Sequence, residues 1–154
     1  MRYYLDTEFI ENGATIDLIS IGIHCEDGRE FYVLNNDCDH SKASGWVKDN
    51  VLIHLPEKAN RRNIASSNVD LFGKYASHAR IATEVINFCN PEIYGKPDFW
   101  AYYADYDWVV FCQLFGTMMD LPKGFPMYCH DIKQWCDQLG NPKLPEQGKV
   151  SIMP

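Results

Sequence analysis

At 154 residues, with 46% hydrophobic and 14% aromatic positions, the chain can build one sizeable core but not two ordinary domains. Its net charge of −7 excludes a protein that coats nucleic acid through a broad basic surface. It leaves room for one that reaches phosphates through bound divalent cations.

Taken in chain order, residues 2–9 (RYYLDTEF), 16–25 (IDLISIGIHC) and 30–35 (EFYVLN) predict a three-stranded antiparallel meander, joined by the turns ENGAT and EDGR. On the first strand Tyr4, Asp6 and Glu8 share one face, and Tyr3, Leu5 and Thr7 share the other. The two carboxylates then stand roughly 6.5 Å apart along the strand. Arg2 is the only base in the segment, so the pair repels itself unless a cation sits between the acids. Taken alone, such a pair also suits a solvated strand edge.

Helical spacing over residues 45–56 ends at Pro56, and a polar surface connector is expected over 57–68. A second helix is expected over 75–90, stopped by Pro91. A short aromatic strand follows at 98–103 (DFWAYY), then a helix at 104–116 with an acidic start and a glycine end. A strand at 125–131 and a helix at 131–140 complete the pattern, and the proline-containing tail shows no periodicity. The order βββαα-βα-βα implies a mixed sheet with flanking helices, an α/β domain.

The six cysteines contain no CxxC pair and lie mostly in apolar stretches, so they read as reduced core thiols. The basic groups Lys58, Arg61 and Arg62, and Lys143 with Lys149, read as solvated surface. Histidines 24, 40, 54, 78 and 130 read as structural or solvated. No apolar run approaches the roughly 20 residues that span a bilayer, and the N-terminus lacks a signal pattern, so a cytoplasmic location without membrane association is expected.

Asp105 and Asp107 open the 104–116 helix, where acids suit the helix dipole. Together with Asp6 and Glu8 they form a set of hard oxygen ligands of the kind that shares divalent metals. At this point the sequence resembles the DEDD superfamily of 3′-to-5′ exonucleases. DTEF is similar to its first motif, Asp-x-Glu at the end of strand one, and FWAYYADYDWVVF to its second, an apolar strand followed by an Asp that opens a helix. That alignment favours Asp107 as the metal ligand, with Asp105 the close competitor. The stretches DTEFIE, LISIG, EDGREFY, WVKDNVL, FWAYYADYDWV, CQLFG, PMYC, IKQW and LGNPKLP resemble the polyadenylate-specific exoribonucleases called RNase AS, over nearly the whole chain.

The resemblance implies a ribonuclease H-like fold and two-metal phosphodiester hydrolysis. Asp6, Glu8 and Asp107 would be catalytic and hold two Mg2+ ions, with Mn2+ as the alternative ion. Thr7, Phe9 and Tyr106 would contact the substrate, the 3′ end of single-stranded, A-rich RNA. A homodimer is implied as well. DNA as substrate, and a catalytically silent RNA- or nucleotide-binding module of the same fold, are the rival readings.

The family's third motif, a His and an Asp on a late helix in a pattern like HNALADA, has no counterpart here. One set of codons for the final SIMP spells His-Asn-Ala in the neighbouring frame, so a frameshift just ahead of that motif is the expected reason. A single exonuclease domain over 1–154 without its third motif and last helix is then expected to bind metal weakly, to cleave slowly and to expose an apolar patch on its sheet.

Overall fold

A computed structural model describes residues 1–57 and 72–145. The meander forms as expected, from β1 (Arg2–Glu11), β2 (Ile16–Cys25) and β3 (Glu30–Asn35). Its first turn is held by Asn12, whose side-chain oxygen accepts from the backbone N–H groups of Ala14 and Thr15 at 2.9 and 2.8 Å. Gly28, at φ +90°, supplies the left-handed residue of the second.

Three further strands, β4 (Lys74–Ala76), β5 (Asp98–Ala101) and β6 (His130–Asp131), complete one six-stranded sheet in the order β4-β3-β2-β1-β5-β6. β2 runs antiparallel to both neighbours, whereas β4 on β3, β5 on β1 and β6 on β5 are parallel. The chain is therefore a mixed α/β domain.

The helices depart from expectation at their ends, each time for a local reason. The predicted 45–56 helix is α1 (Gly45–Asn50), capped by the Ser44 hydroxyl, followed by a 3-10 turn over Leu52–His54. Leu55 is extended, as the residue before a proline must be. The predicted 75–90 helix loses its first residues to β4, where Tyr75 and Ala76 pair with Leu34 and Asn35. α2 (His78–Phe88) starts only after Ser77, whose hydroxyl accepts from the Arg80 N–H. Pro91 does not simply stop this helix: with Asn90 as cap it opens the short α3 (Pro91–Tyr94). The strand expected over 98–103 ends at Ala101, and that expected over 125–131 contracts to two residues. α4 (Ala104–Gln113) and α5 (Ile132–Gln138) lie where the pattern put them.

One sheet face carries the main core. Tyr3 and Leu5 of β1, Ile21 and Ile23 of β2, and Phe99 of β5 pack against Ile81 and Val85 of α2 and Val110 and Phe111 of α4. On the other face Ile10 and Ile19 pack with Cys38, Ala43 and Val51 around α1. All six cysteines are free thiols, and all but Cys129 are buried. No helix of the described residues is long and apolar enough to cross a membrane. Most of the expected connector, with Lys58, Arg61 and Arg62, lies outside the described residues, as do Lys149 and the final SIMP.

Candidate active site

The site forms where one strand outlasts its neighbour. β5 pairs with β1 only from Arg2↔Asp98 to Tyr4↔Trp100 and stops at Ala101, while β1 continues to Glu11. The edge of β1 beyond Leu5 is therefore left without a strand partner on that side. After β5 the chain turns at Tyr103, which takes the left-handed conformation at φ 59°, and enters α4. The first turn of α4 reaches the open edge, and Asp107 takes the place of the missing strand. Its Oδ1 accepts from the Thr7 backbone N–H at 2.9 Å and from the Thr7 hydroxyl at 2.6 Å.

That contact brings Asp107 beside Asp6 and Glu8. Burial, with Asp107's carboxylate second, pushes the Asp6 carboxyl up to about 6. Asp6 is nonetheless exposed to solvent, and Glu8 is half-buried. Glu8 is pushed up to about 7 by burial, then by the fields of Asp6 and Asp107. Asp107, only 7% exposed, is raised too, because its burial outweighs the two Thr7 hydrogen bonds that favour its charge. The ion pairs among the described residues lie elsewhere: His24–Glu30, Arg29–Asp27, Arg80–Glu84, His130–Asp98 and Lys133–Asp137. Three acids thus lie within one another's fields, without a basic partner among the described residues.

Asp105 is exposed, and its charge is not among the causes that shift Asp6, Glu8 or Asp107. It lines a groove of about 440 Å³ with Trp108, Met127, Tyr128 and Gln134. Phe9 and Tyr106 stack on each other, ring centroids 5.7 Å apart and planes 10° from parallel, and Tyr106 remains 52% exposed. Thr7 is 6% exposed, its hydroxyl engaged with Asp107. His130 is tied to Asp98 at 3.0 Å and stacked on Trp100 at 4.4 Å, a structural position.

Two contributors carry no sequence signal of their own. Asp131 accepts from the Ala104 N–H at 2.7 Å and from the Gln134 N–H at 2.7 Å, so one carboxylate fixes the starts of both α4 and α5. Ser20 lies opposite Glu8 in the β1–β2 ladder and hydrogen-bonds the Tyr32 phenol oxygen, which feels the Glu8 charge. A helix-start Asp and a strand Ser are too common to single out without the fold.

The sequence model of the "3′-5′ exoribonuclease Rv2179c-like domain" matches residues 1–135. The chain belongs to the Rv2179c-like family. Two curated relatives from Mycobacterium tuberculosis, the 3′-5′ exoribonuclease Rv2179c of strain H37Rv and the 3′-5′ exoribonuclease MT2234.1 of strain CDC 1551, are each 36% identical over 145 residues, covering 94% of this chain and 79% of the relative.

The segment matched by the Rv2179c-like domain contains Asp6, Thr7, Glu8 and Asp107. Among the described residues no three His, Cys, Asp or Glu side chains are already placed so that they could hold a metal ion together. The acids nonetheless suit a hard ion of the magnesium type, which takes one or two carboxylates and completes its shell with water and substrate phosphate oxygens.

Proposed function

We propose that this Rv2179c-like protein is a 3′-to-5′ exoribonuclease that hydrolyses the terminal phosphodiester of single-stranded, A-rich RNA. The observation that carries the reading is the convergence of Asp107 with Asp6 and Glu8 at the open edge of β1, in a chain of this family. The strand order, with Asp-x-Glu on β1 and an Asp opening the helix after β5, supports a ribonuclease H-like fold of the DEDD kind. Likeness to RNase AS supports the homodimer, the A-rich substrate and a cytoplasmic location.

Asp6, Glu8 and Asp107 would hold two magnesium ions, which when bound supply a polarised water and neutralise charge on the leaving 3′ oxygen. The protein's own residues supply position. Thr7 fixes Asp107 with two donors to one oxygen, so that carboxylate cannot swing away from the site. Phe9 and Tyr106 present a stacked pair beside the carboxylates, and the exposed Tyr106 ring offers a flat surface to a terminal base. Asp105, facing the neighbouring groove, is left out of the metal set.

A second reading rests on one observation. His24 and His130 are each paired with a carboxylate outside the site, and among the described residues no histidine enters the causes that shift Asp6, Glu8 or Asp107. A fold that binds RNA or nucleotide without turnover would look the same. The deciding experiment uses an oligoadenylate labelled at an internal phosphate, in linear and circular form, with and without Mg2+. Stepwise shortening of the linear RNA alone, dependent on Mg2+, supports the exonuclease. Binding without shortening supports the silent module, and cutting of the circle contradicts both.

A further inference from the structure

Between β5 and α4, next to the carboxylates, the chain spends two aromatic residues in a turn. Tyr103 sits at φ 59°, a region that favours glycine and is rare for a bulky side chain. Its ring is 64% exposed, so no core packing holds it there, and Tyr102 beside it is 44% exposed. The two rings meet edge to face, centroids 4.8 Å apart and planes 78° from parallel. That contact covers an edge of one ring and a face of the other, and both residues stay exposed.

The position of the turn is fixed from behind. Asp131 accepts from the Ala104 N–H immediately after Tyr103, anchoring the start of α4. Tyr106 and Asp107 lie in the first turn of α4, directly after the left-handed cap residue Tyr103. Phe9 and Tyr106 thus make one aromatic pair beside the carboxylates, and Tyr102 and Tyr103 make a second where the chain enters α4. Lys133 of α5, paired with Asp137, lies within electrostatic reach of the Tyr102 and Tyr103 phenols and sets a cation beside that pair. A chain of net charge −7 has little broad basic surface with which to hold a polyanion. Stacking is the sequence-tolerant alternative, since every base has a flat face.

We infer that Tyr102 and Tyr103 form a stacking platform for the bases of single-stranded RNA just upstream of the 3′-terminal nucleotide. The inference rests on the exonuclease reading for its substrate class, and it adds a binding surface that the carboxylate site does not need for chemistry. The left-handed backbone at Tyr103 is the cost of presenting a ring where a glycine would sit more easily.

The test separates ring from backbone. Binding of a fluorescein-labelled oligoadenylate is measured by anisotropy in EDTA, where no hydrolysis intervenes, alongside thermal melting. Tyr103→Gly relieves the backbone and removes the ring. It is expected to hold or raise Tm while weakening RNA binding about tenfold, the size of one lost base–aromatic stack. Tyr103→Phe is expected to bind as the native chain does, and Tyr102→Ala to weaken binding similarly to Tyr103→Gly. In turnover assays Tyr103→Gly raises KM for the oligomer more than it lowers kcat. Unchanged RNA affinity in Tyr103→Gly overturns the inference, as does equal weakening by Tyr103→Phe. If the native chain binds RNA and loses affinity on Tyr103→Gly but never shortens RNA, the platform stands and the exonuclease reading falls.

Discussion

Thr7 gives both its backbone N–H and its hydroxyl to one oxygen of Asp107, at 2.9 and 2.6 Å, across a hundred residues of sequence. The pair joins β1 to α4 at the point where β5 has ended, and it is what turns two acids on a strand into three at a site. Thr7→Val keeps the shape and removes the hydroxyl donor from a buried carboxylate. An outer-shell loss of this kind is expected to cut activity or Mg2+ affinity about 10- to 100-fold, with RNA affinity in EDTA unchanged. Kinetics at varied Mg2+ concentration check this; a Thr7→Val protein with native Mg2+ dependence would remove Thr7 from the account.

The raised carboxyls set a pH dependence. Asp6 moves from 3.8 to about 6 and Glu8 from 4.5 to about 7, so the folded chain holds more protons than the unfolded one between these values. By linkage this contribution to stability is full below about pH 4 and is lost as pH rises to about 7. Asp27, held down at about 2 by Arg29, titrates below the window. In EDTA, Tm is expected to fall by on the order of a few degrees from pH 4.5 to 7, a modest change because water still reaches both acids. Added Mg2+ should raise Tm more at pH 7.5 than at pH 5, and Glu8→Gln should flatten the EDTA profile. Calorimetry across that range decides; a Tm that climbs with pH in EDTA contradicts the charge cluster.

Asp131 satisfies two helix starts at once, through Ala104 and Gln134. Asp131→Ala leaves both N–H groups without their acceptor, an expected loss of about 2 kcal/mol at roughly 1 kcal/mol per cap. That corresponds to a Tm drop of about 4–8 °C for a chain of this size. A drop within 1 °C of zero, read by differential scanning, would mean that water replaces the carboxylate without penalty.

The residues differ in how much of this they announce. The meander was legible because its turns lie within a few residues of the strands they join: Asn12 and Gly28 act locally, and the alternation along β1 already separates Asp6 and Glu8 from Leu5. β4 was hidden, since three residues beside a strong helical pattern carry no period of their own, and only pairing with Leu34 and Asn35 makes them a strand. The choice between Asp105 and Asp107 stayed open for a similar reason. Both suit the first turn of a helix, and what separates them is where β5 stops, a property of the sheet. Thr7 was expected to touch substrate, whereas its tie to Asp107 shows only once the fold brings β1 and α4 together.

The most direct measurement of the central claim is Mn2+ binding followed by electron paramagnetic resonance, on the native chain and on Asp107→Asn and Asp105→Asn. It reads the carboxylate site without requiring turnover. The account predicts that the native chain and Asp105→Asn take up Mn2+ alike, while Asp107→Asn binds at least about tenfold more weakly, as loss of a ligand should. Equal uptake by Asp107→Asn and the native chain would contradict it.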